Sequence, residues 1–280
     1  MNVAFLFPGS DRYEALDNWV RTIARYTGEF HANLERAPIG CLLDDVVIVL
    51  TEGKSYPKDK IDADLACMGK PFGVIHNNDN PGVPTPGDYP SFCWTQQAEK
   101  RLAAYKPTLL RQPVLPFIME PKARPLHVGT FGHIERKKCT LEMAKWADRN
   151  GLPFTAFVPT VHTEQYATYI DIVRMAGATV IEYPWAERIE DLAPLFTDIS
   201  HFMFMLPKAK GSTGGSPTSP RYATAFARPV IVIDDEPTFT QDGFYVFDSL
   251  SNVQGLEQMR LPDTSWGPEQ YINELVRRIA

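Results

Sequence analysis

The stretch HFMFMLPKAKGSTGGSPTSPRYATAFARPVIVI, His201 to Ile233, decides how the rest of the chain is read. His201–Leu206 is an apolar run of strand length, Tyr222–Ala227 carries a short helical pattern, and Pro229–Ile233 reads as a buried strand. Between the first two, Pro207–Arg221 holds three glycines, three serines, two threonines and no acid, with Lys208, Lys210 and Arg221 adding positive charge. A strand, a Gly/Ser loop and a helix start bring backbone N–H groups and hydroxyls to one place, the usual way a fold holds an anion such as phosphate. The same order implies βα units and parallel strands.

The pattern repeats on both sides. Val3–Phe7, Asp45–Leu50, Phe72–His76 and Thr108–Val114 read as strands in the first half, with helices over Arg12–Tyr26, Asp62–Met68 and Thr95–Tyr105. Leu126–Phe131, Phe154–Val158, Ala178–Tyr183 and Gly243–Phe247 are the further strands of the second half, with helices over Leu141–Asn150, Glu164–Met175 and Arg188–Phe196. Near-continuous apolar strands such as DVVIVL are those of a sheet covered on both faces. Pro113–Pro125 carries four prolines and divides the two series. Gln270–Ile279 closes the chain as an amphipathic helix through Ile272, Leu275, Val276 and Ile279. The expected fold is α/β: two Rossmann-like doubly wound domains, 1–117 and 118–265, facing a central cleft, with 266–280 packing back across them. Ligands of such sheets bind beyond the carboxyl ends of the strands.

Composition narrows the function. The 280 residues carry a net charge of −6, which disfavours a protein that coats nucleic acid over its whole surface. The basic residues are nonetheless concentrated: Thr95–Lys138 holds nine Lys or Arg against three acids. The four cysteines (Cys41, Cys67, Cys93, Cys139) form no CxxC pair and the six histidines no HxxxH or HExxH, so free thiols and no built-in metal centre are expected. No apolar run approaches the roughly 18 residues of a membrane span, and MNVAFLFPGSDR lacks a basic signal region. A cytoplasmic protein is expected, in the host cytoplasm if the chain is viral, with no stable membrane association.

Two motifs then carry a resemblance. HVGTFGHIERKKC, His127–Cys139, is a strand, a glycine turn and a basic cluster before a helix; GSTGGSPTSPRYATAFARPVIVID, Gly211–Asp234, ends in Ala227-Arg228-Pro229-Val230-Ile231. Together they resemble the donor domain of GT-B glycosyltransferases, closest to the retaining group that includes glycogen synthases. The first half is similar to the acceptor domain more loosely, through FPGS and GVIHNND.

The resemblance implies a metal-independent glycosyltransferase that moves a sugar from a nucleotide-sugar donor, a UDP-sugar among the candidates, to a soluble acceptor hydroxyl. No cofactor is implied beyond that co-substrate. Charge developing on the departing diphosphate would be met by Arg136, Lys137 and Lys138 and by a helix N-terminus. Gly214, Gly215, Ser216 and Thr218 would cradle the pyrophosphate, with Arg221 a further partner. Gly9 and Ser10 lie in the first strand–helix loop, where glycine lets backbone and donor approach. Trp185 would stack on the nucleobase beside Glu187 or Arg188. His76 and Asp79 are the candidate base and orienting carboxylate, Asp11 a secondary base.

The glutamate pair of the retaining group falls here on Gly214 and Tyr222, which leaves the ribose-binding residue and the stereochemistry unassigned. The chain is also similar in its short length to phage enzymes that glycosylate hydroxymethylated DNA bases, and the basic Thr95–Lys138 segment keeps a DNA acceptor open. Two other readings stand beside transfer: a nucleotide- or sugar-binding protein without chemistry, and a sugar-nucleotide epimerase.

Overall fold

The described residues form two sheets, each wholly parallel. The computed structural model describes residues 3–6, 22–23, 46–51, 71–76, 89–94, 96–186, 188–206, 218–234 and 244–280. They fall into two units. One holds the described residues up to Pro113 together with Thr218 and Trp266–Ala280, the other those of Val114–Gly211 and Ser219–Ser265.

In the first unit the strands β1 (Val3–Leu6), β2 (Val46–Thr51), β3 (Phe72–His76), β4 (Ser91–Cys93) and β5 (Thr108–Leu109) pair in that order. Each neighbouring pair is parallel. Helix α1 (Gln96–Arg101) lies between β4 and β5, and its Ala98, with Leu102 directly after it, is buried in a cluster with Cys93 and Tyr105. The terminal helix, Pro268–Ile279 (α5 in chain order, after the three helices of the second unit given below), belongs to this sheet. Its buried Tyr271, Ile272, Leu275 and Ile279 recur on one face. Pro268 opens it where a missing N–H costs nothing, and the Gly267 N–H donates to the Gln270 side chain. Gly73 is the contact on β3: a Cβ there would lie 2.6 Å from Ile279 Cδ1. Trp94 Nε1–H donates to the Tyr271 hydroxyl at 2.9 Å, and Trp266 Nε1–H to the Arg111 carbonyl at 3.0 Å.

The second unit contains β6 (Val128–Phe131), α2 (Thr140–Arg149), β7 (Phe154–Pro159), α3 (Thr163–Met175), β8 (Thr179–Tyr183), β9 (His201–Met205), α4 (Thr218–Ala223) from Ser219 onward, β10 (Val230–Ile233) and β11 (Phe244–Phe247). Its sheet runs β8-β7-β6-β9-β10-β11. Numbered from β6, this is the order 3-2-1-4-5-6 of a dinucleotide-binding sheet. The parallel α/β expectation is borne out.

Alternation along the strands supplies two cores. Val128, Ala156, Val158, Met203, Ile231 and Ile233 face α2 and α3, meeting Met143, Trp146, Ala147, Ile170 and Val173. On the other face Phe131, Phe157, Phe202 and Phe204 join Phe196 and Phe226 in an edge-to-face aromatic cluster, with most centroids 4.6 to 5.9 Å apart. Gly129 leaves room there for Ile199, whose side-chain atoms lie 2.9 to 3.1 Å from where its Cβ would be.

Several expected elements are corrected. Ser91–Cys93 is a strand the sequence reading lacks, because three residues after Tyr89-Pro90 carry no periodicity. The expected strand Thr108–Val114 is regular only over Thr108–Leu109, as Pro113 cannot donate to a ladder. Arg188–Phe196 is a 3-10 turn sequence, Ile189–Phe196, with Pro194 inside it. Helix α4 begins at Thr218, so Thr218–Arg221, expected in the loop, is helical. Pro220 fits because first-turn N–H groups have no intrahelical partner. The helix expected over Arg12–Tyr26 lies outside the described residues except Thr22 and Ile23, which are helical; that over Asp62–Met68 lies wholly outside, as do Cys41 and Cys67. Cys93 and Cys139 are free thiols. Among the described residues no helix is long and apolar enough to cross a membrane.

The proline-rich segment is fastened to the second unit. Val114 and Leu115 are buried, the Leu115 N–H donates to Thr224 Oγ1 at 3.2 Å, and the Ile118 N–H to the Ala225 carbonyl at 2.8 Å.

Candidate functional site

In the second sheet the chain leaves β6 toward β7 on one side, and later crosses to β9 on the other. The carboxyl ends of β6 and β9 are therefore the point where strand order reverses and flanking loops diverge. Gly132 stands at that point, directly after β6, with its N–H donating to the Phe157 carbonyl at 3.1 Å. Its φ is +109°, a conformation that favours glycine, and a Cβ there would sit 2.9 Å from Ser219 Oγ. Ser219 lies in the first turn of α4. The two motifs singled out in the sequence, His127–Cys139 and Gly211–Asp234, are thus in contact at the switch point.

From Gly132 the chain runs through buried Ile134 and extended Glu135 into the 3-10 turn Arg136–Lys138. Cys139 follows at φ +52°, donates its N–H to the Arg136 carbonyl, and starts α2. The bend lets a basic turn precede a ten-residue helix whose Leu141 N–H is capped by the Tyr169 hydroxyl at 3.2 Å. Burial pushes the Tyr169 phenol up, and the hydrogen bond it accepts from the Leu141 N–H, with a smaller part from the Arg136 charge, opposes that. Burial, then the Glu142 carboxylate, pushes the Cys139 thiol up, so it is held as a thiol. Arg136 is exposed and Lys138 half-buried. Of Lys137 and Thr218 only the backbone is described, in the 3-10 turn and at the start of α4.

Trp185 lies two residues beyond β8, beside the carboxyl edge of the same sheet, and is 37% exposed. Arg188, also exposed, pairs with Glu190 at 3.6 Å. Arg221 is on α4 and 2% exposed, with its carbonyl accepting from Thr224 Oγ1 at 2.6 Å. Tyr222, at one of the positions where the resemblance expects a carboxylate, is its neighbour on that helix.

His76 ends β3 in the first unit and has no exposed surface. Its Nε2 and Ser91 Oγ, on adjacent strands, are 2.8 Å apart, and its ring meets Tyr105 edge-on at 4.9 Å. Burial lowers its pKa to about 4, which holds the imidazole neutral. This is the environment of a core hydrogen-bonding histidine.

Gly9, Ser10, Asp11, Asp79, Glu187, Gly214, Gly215 and Ser216 lie outside the described residues. Gly132 and Ser219 lie in the quoted motifs but are not among the site residues expected from the sequence. Gly132 belongs to a quoted motif, but only the backbone angle and the approach of Ser219 distinguish it from any other loop glycine. Among the described residues no group of three or more His, Cys, Asp or Glu is arranged to hold a metal ion.

No family model matches this chain, and no curated protein matches it. Solved structures do. Over 100% of its length the chain is similar to 97% of a glycosyltransferase involved in avilamycin A biosynthesis (AviGT4), at 16% identity and a TM-score of 0.59. Weaker likenesses are to UDP-GlcNAc 2-epimerase from Neisseria meningitidis (11% identity, 99% of each chain, TM-score 0.49) and to an α,α-trehalose-phosphate synthase from Burkholderia xenovorans (11%, 97% of this chain and 79% of that, TM-score 0.49). The first likeness shows the fold: a parallel α/β chain of the GT-B type with two Rossmann-like units.

Proposed function

We propose that this chain is a glycosyltransferase that takes a sugar from a nucleotide-sugar donor, and that the switch point of the second sheet holds the donor's diphosphate. The observation that carries the reading is the approach of Ser219 to Gly132. It joins the Gly/Ser-rich segment to the strand–glycine–basic-turn segment at the one edge where this strand order binds ligands. Arg136, Lys137 and Lys138 supply positive charge, and Gly214, Gly215, Ser216 and Thr218 supply N–H and hydroxyl donors. Arg221 supports that segment from α4, and Trp185 offers a face for the nucleobase.

In the step itself the acceptor oxygen forms a bond to the anomeric carbon while the bond from that carbon to the diphosphate oxygen breaks. The electron pair leaves on the diphosphate, where the basic turn stabilises the charge without a metal ion. Asp79 is the proposed acceptor of the hydroxyl proton. The burial of His76 gives it a supporting place in the strand pair β3–β4 instead. The acceptor is a soluble hydroxyl compound, with a hydroxymethylated DNA base as one version.

A thermal-shift screen with UDP-, GDP-, ADP- and CMP-sugars and the free diphosphates tests this, because a bound donor raises stability by mass action. At least one nucleotide should stabilise the chain, and the effect should disappear when Arg136, Lys137 and Lys138 are replaced by alanine. No shift with any nucleotide would sink the reading. Binding without release of nucleoside diphosphate over a broad acceptor screen would favour a binding protein. Interconversion of the donor sugar without acceptor would favour an epimerase. For a DNA acceptor, duplex binding should weaken steeply with salt.

A further inference from the structure

The opposite edge of the second sheet, where β6, β9 and β10 begin, holds a charge arrangement that the proposed transfer does not use. Two arginines far apart in sequence clasp the three-residue turn Thr197–Ile199 that leads into β9. Arg124 donates through Nε to the Thr197 carbonyl and through Nη1 to the Lys122 carbonyl at 3.0 Å. Arg228 donates through Nε to the Ile199 carbonyl and through Nη1 to the Ala227 carbonyl, each at 2.6 Å. Arg228 is 1% exposed, and among the described residues its buried Nη2 has no hydrogen-bond partner. Among the described residues neither guanidinium has a carboxylate within 4.0 Å. Asp198, within the turn, acts on His127 instead.

Buried arginines are ordinarily paired with acids, because an uncompensated buried charge and an unmade charged hydrogen bond are both costly. Here backbone carbonyls satisfy part of each guanidinium and leave the net charge standing. Arg124 is half-buried and so reaches solvent. We infer that Arg124 and Arg228 form a binding site for a phosphate-type oxyanion at the amino edge of the second sheet, separate from the switch point. Planar guanidiniums match the oxygen spacing of phosphate, and a dianion neutralises two like charges held around one turn. Burial, then the Arg124 charge, lowers the Arg228 pKa to about 10, so an anion relieves a repulsion already present.

Thermal unfolding of the full chain is followed in sodium phosphate and in sodium chloride of equal ionic strength, with glycerol 3-phosphate as a third arm. The expected result is a saturable rise of about 3 °C at ten times the dissociation constant. It should persist in the Arg136→Ala/Lys138→Ala variant and be lost in Arg124→Gln, which keeps the buried Arg228 in place. Comparison with Arg124→Gln also removes the general stabilising effect of phosphate as a solute. A larger rise with glycerol 3-phosphate assigns the site to phosphomonoesters, a larger rise with inorganic phosphate to the free ion. Equal midpoints in all salts overturn the proposal. So does a rise that survives Arg124→Gln, or one lost only in the Arg136→Ala/Lys138→Ala variant.

Discussion

Replacing Gly132 by alanine perturbs the switch point with one added methyl, and two separable costs follow. The first is conformational: at φ +109° an L-residue with a Cβ costs about 1–3 kcal/mol. The second is contact. The new Cβ would lie 2.9 Å from Ser219 Oγ but 3.8 Å from Ser219 Cβ, so only the hydroxyl is in the way. Turning Ser219 off its rotamer costs about 0.5–1.5 kcal/mol. Gly132→Ala should therefore lower the stability of the second unit by about 1.5–4.5 kcal/mol. In the double variant with Ser219→Ala the contact cost vanishes and the backbone cost stays. The two substitutions should then couple by about 0.5–1.5 kcal/mol, beyond the additivity error of roughly 0.3–0.5 kcal/mol. Urea unfolding of the four proteins at 25 °C measures the cycle. A Gly132→Ala cost below about 0.5 kcal/mol would refute the backbone argument. Strict additivity would refute the contact that links the two motifs. The same four proteins, titrated with the nucleotide found in the screen, should show weaker binding for Gly132→Ala than for Ser219→Ala.

Phe196 is fully buried, with four phenylalanine rings centred 4.6 to 5.1 Å from its own. Phe196→Ala should cost about 3–5 kcal/mol in urea unfolding, and a cost under 1.5 kcal/mol would mean the aromatic face is loosely packed. Lys106, exposed at φ +47° where the 3-10 turn Ala103–Tyr105 ends, should give about 0.4–1 kcal/mol of stability when replaced by glycine; a loss would contradict the left-handed cap. His76 has a folded pKa of about 4 against 6.5 for the free side chain, so its neutral form is favoured on folding. Its contribution is fully present above pH 6.5 and is lost as pH falls toward 4, by about 3 kcal/mol in all. The imidazole proton shifts followed by NMR should titrate near 4, and a midpoint at 6.5 or above would contradict the burial.

Much of the second unit is legible in the residues. Strands covered on both faces, such as Phe154–Pro159 and Val230–Ile233, stand out as unbroken apolar runs. Helix α2 shows its buried face through Met143, Ala144, Trp146 and Ala147. Short or proline-broken pieces do not announce themselves. Ser91–Cys93 is held in its sheet by ladder bonds to β3 and β5, which no local pattern reports. His76 shows how a site reading depends on what surrounds a residue. A histidine at a strand end followed by Asn-Asn-Asp reads as a base, yet its imidazole is enclosed between Ser91 and Tyr105, which lie 15 and 29 positions further on.

The sequence by itself determined the class of fold, because period and turn chemistry are local properties of the chain. It also marked the Gly/Ser-rich and basic segments, whose composition suits an anion wherever they sit. Only the tertiary structure decided the strand order around β6, the seating of α5 on Gly73, and the meeting of Gly132 with Ser219 across 87 positions. It alone set Arg124 and Arg228 around one turn. Contacts of that kind come from which strands pair and which faces are buried, and those choices belong to the whole chain.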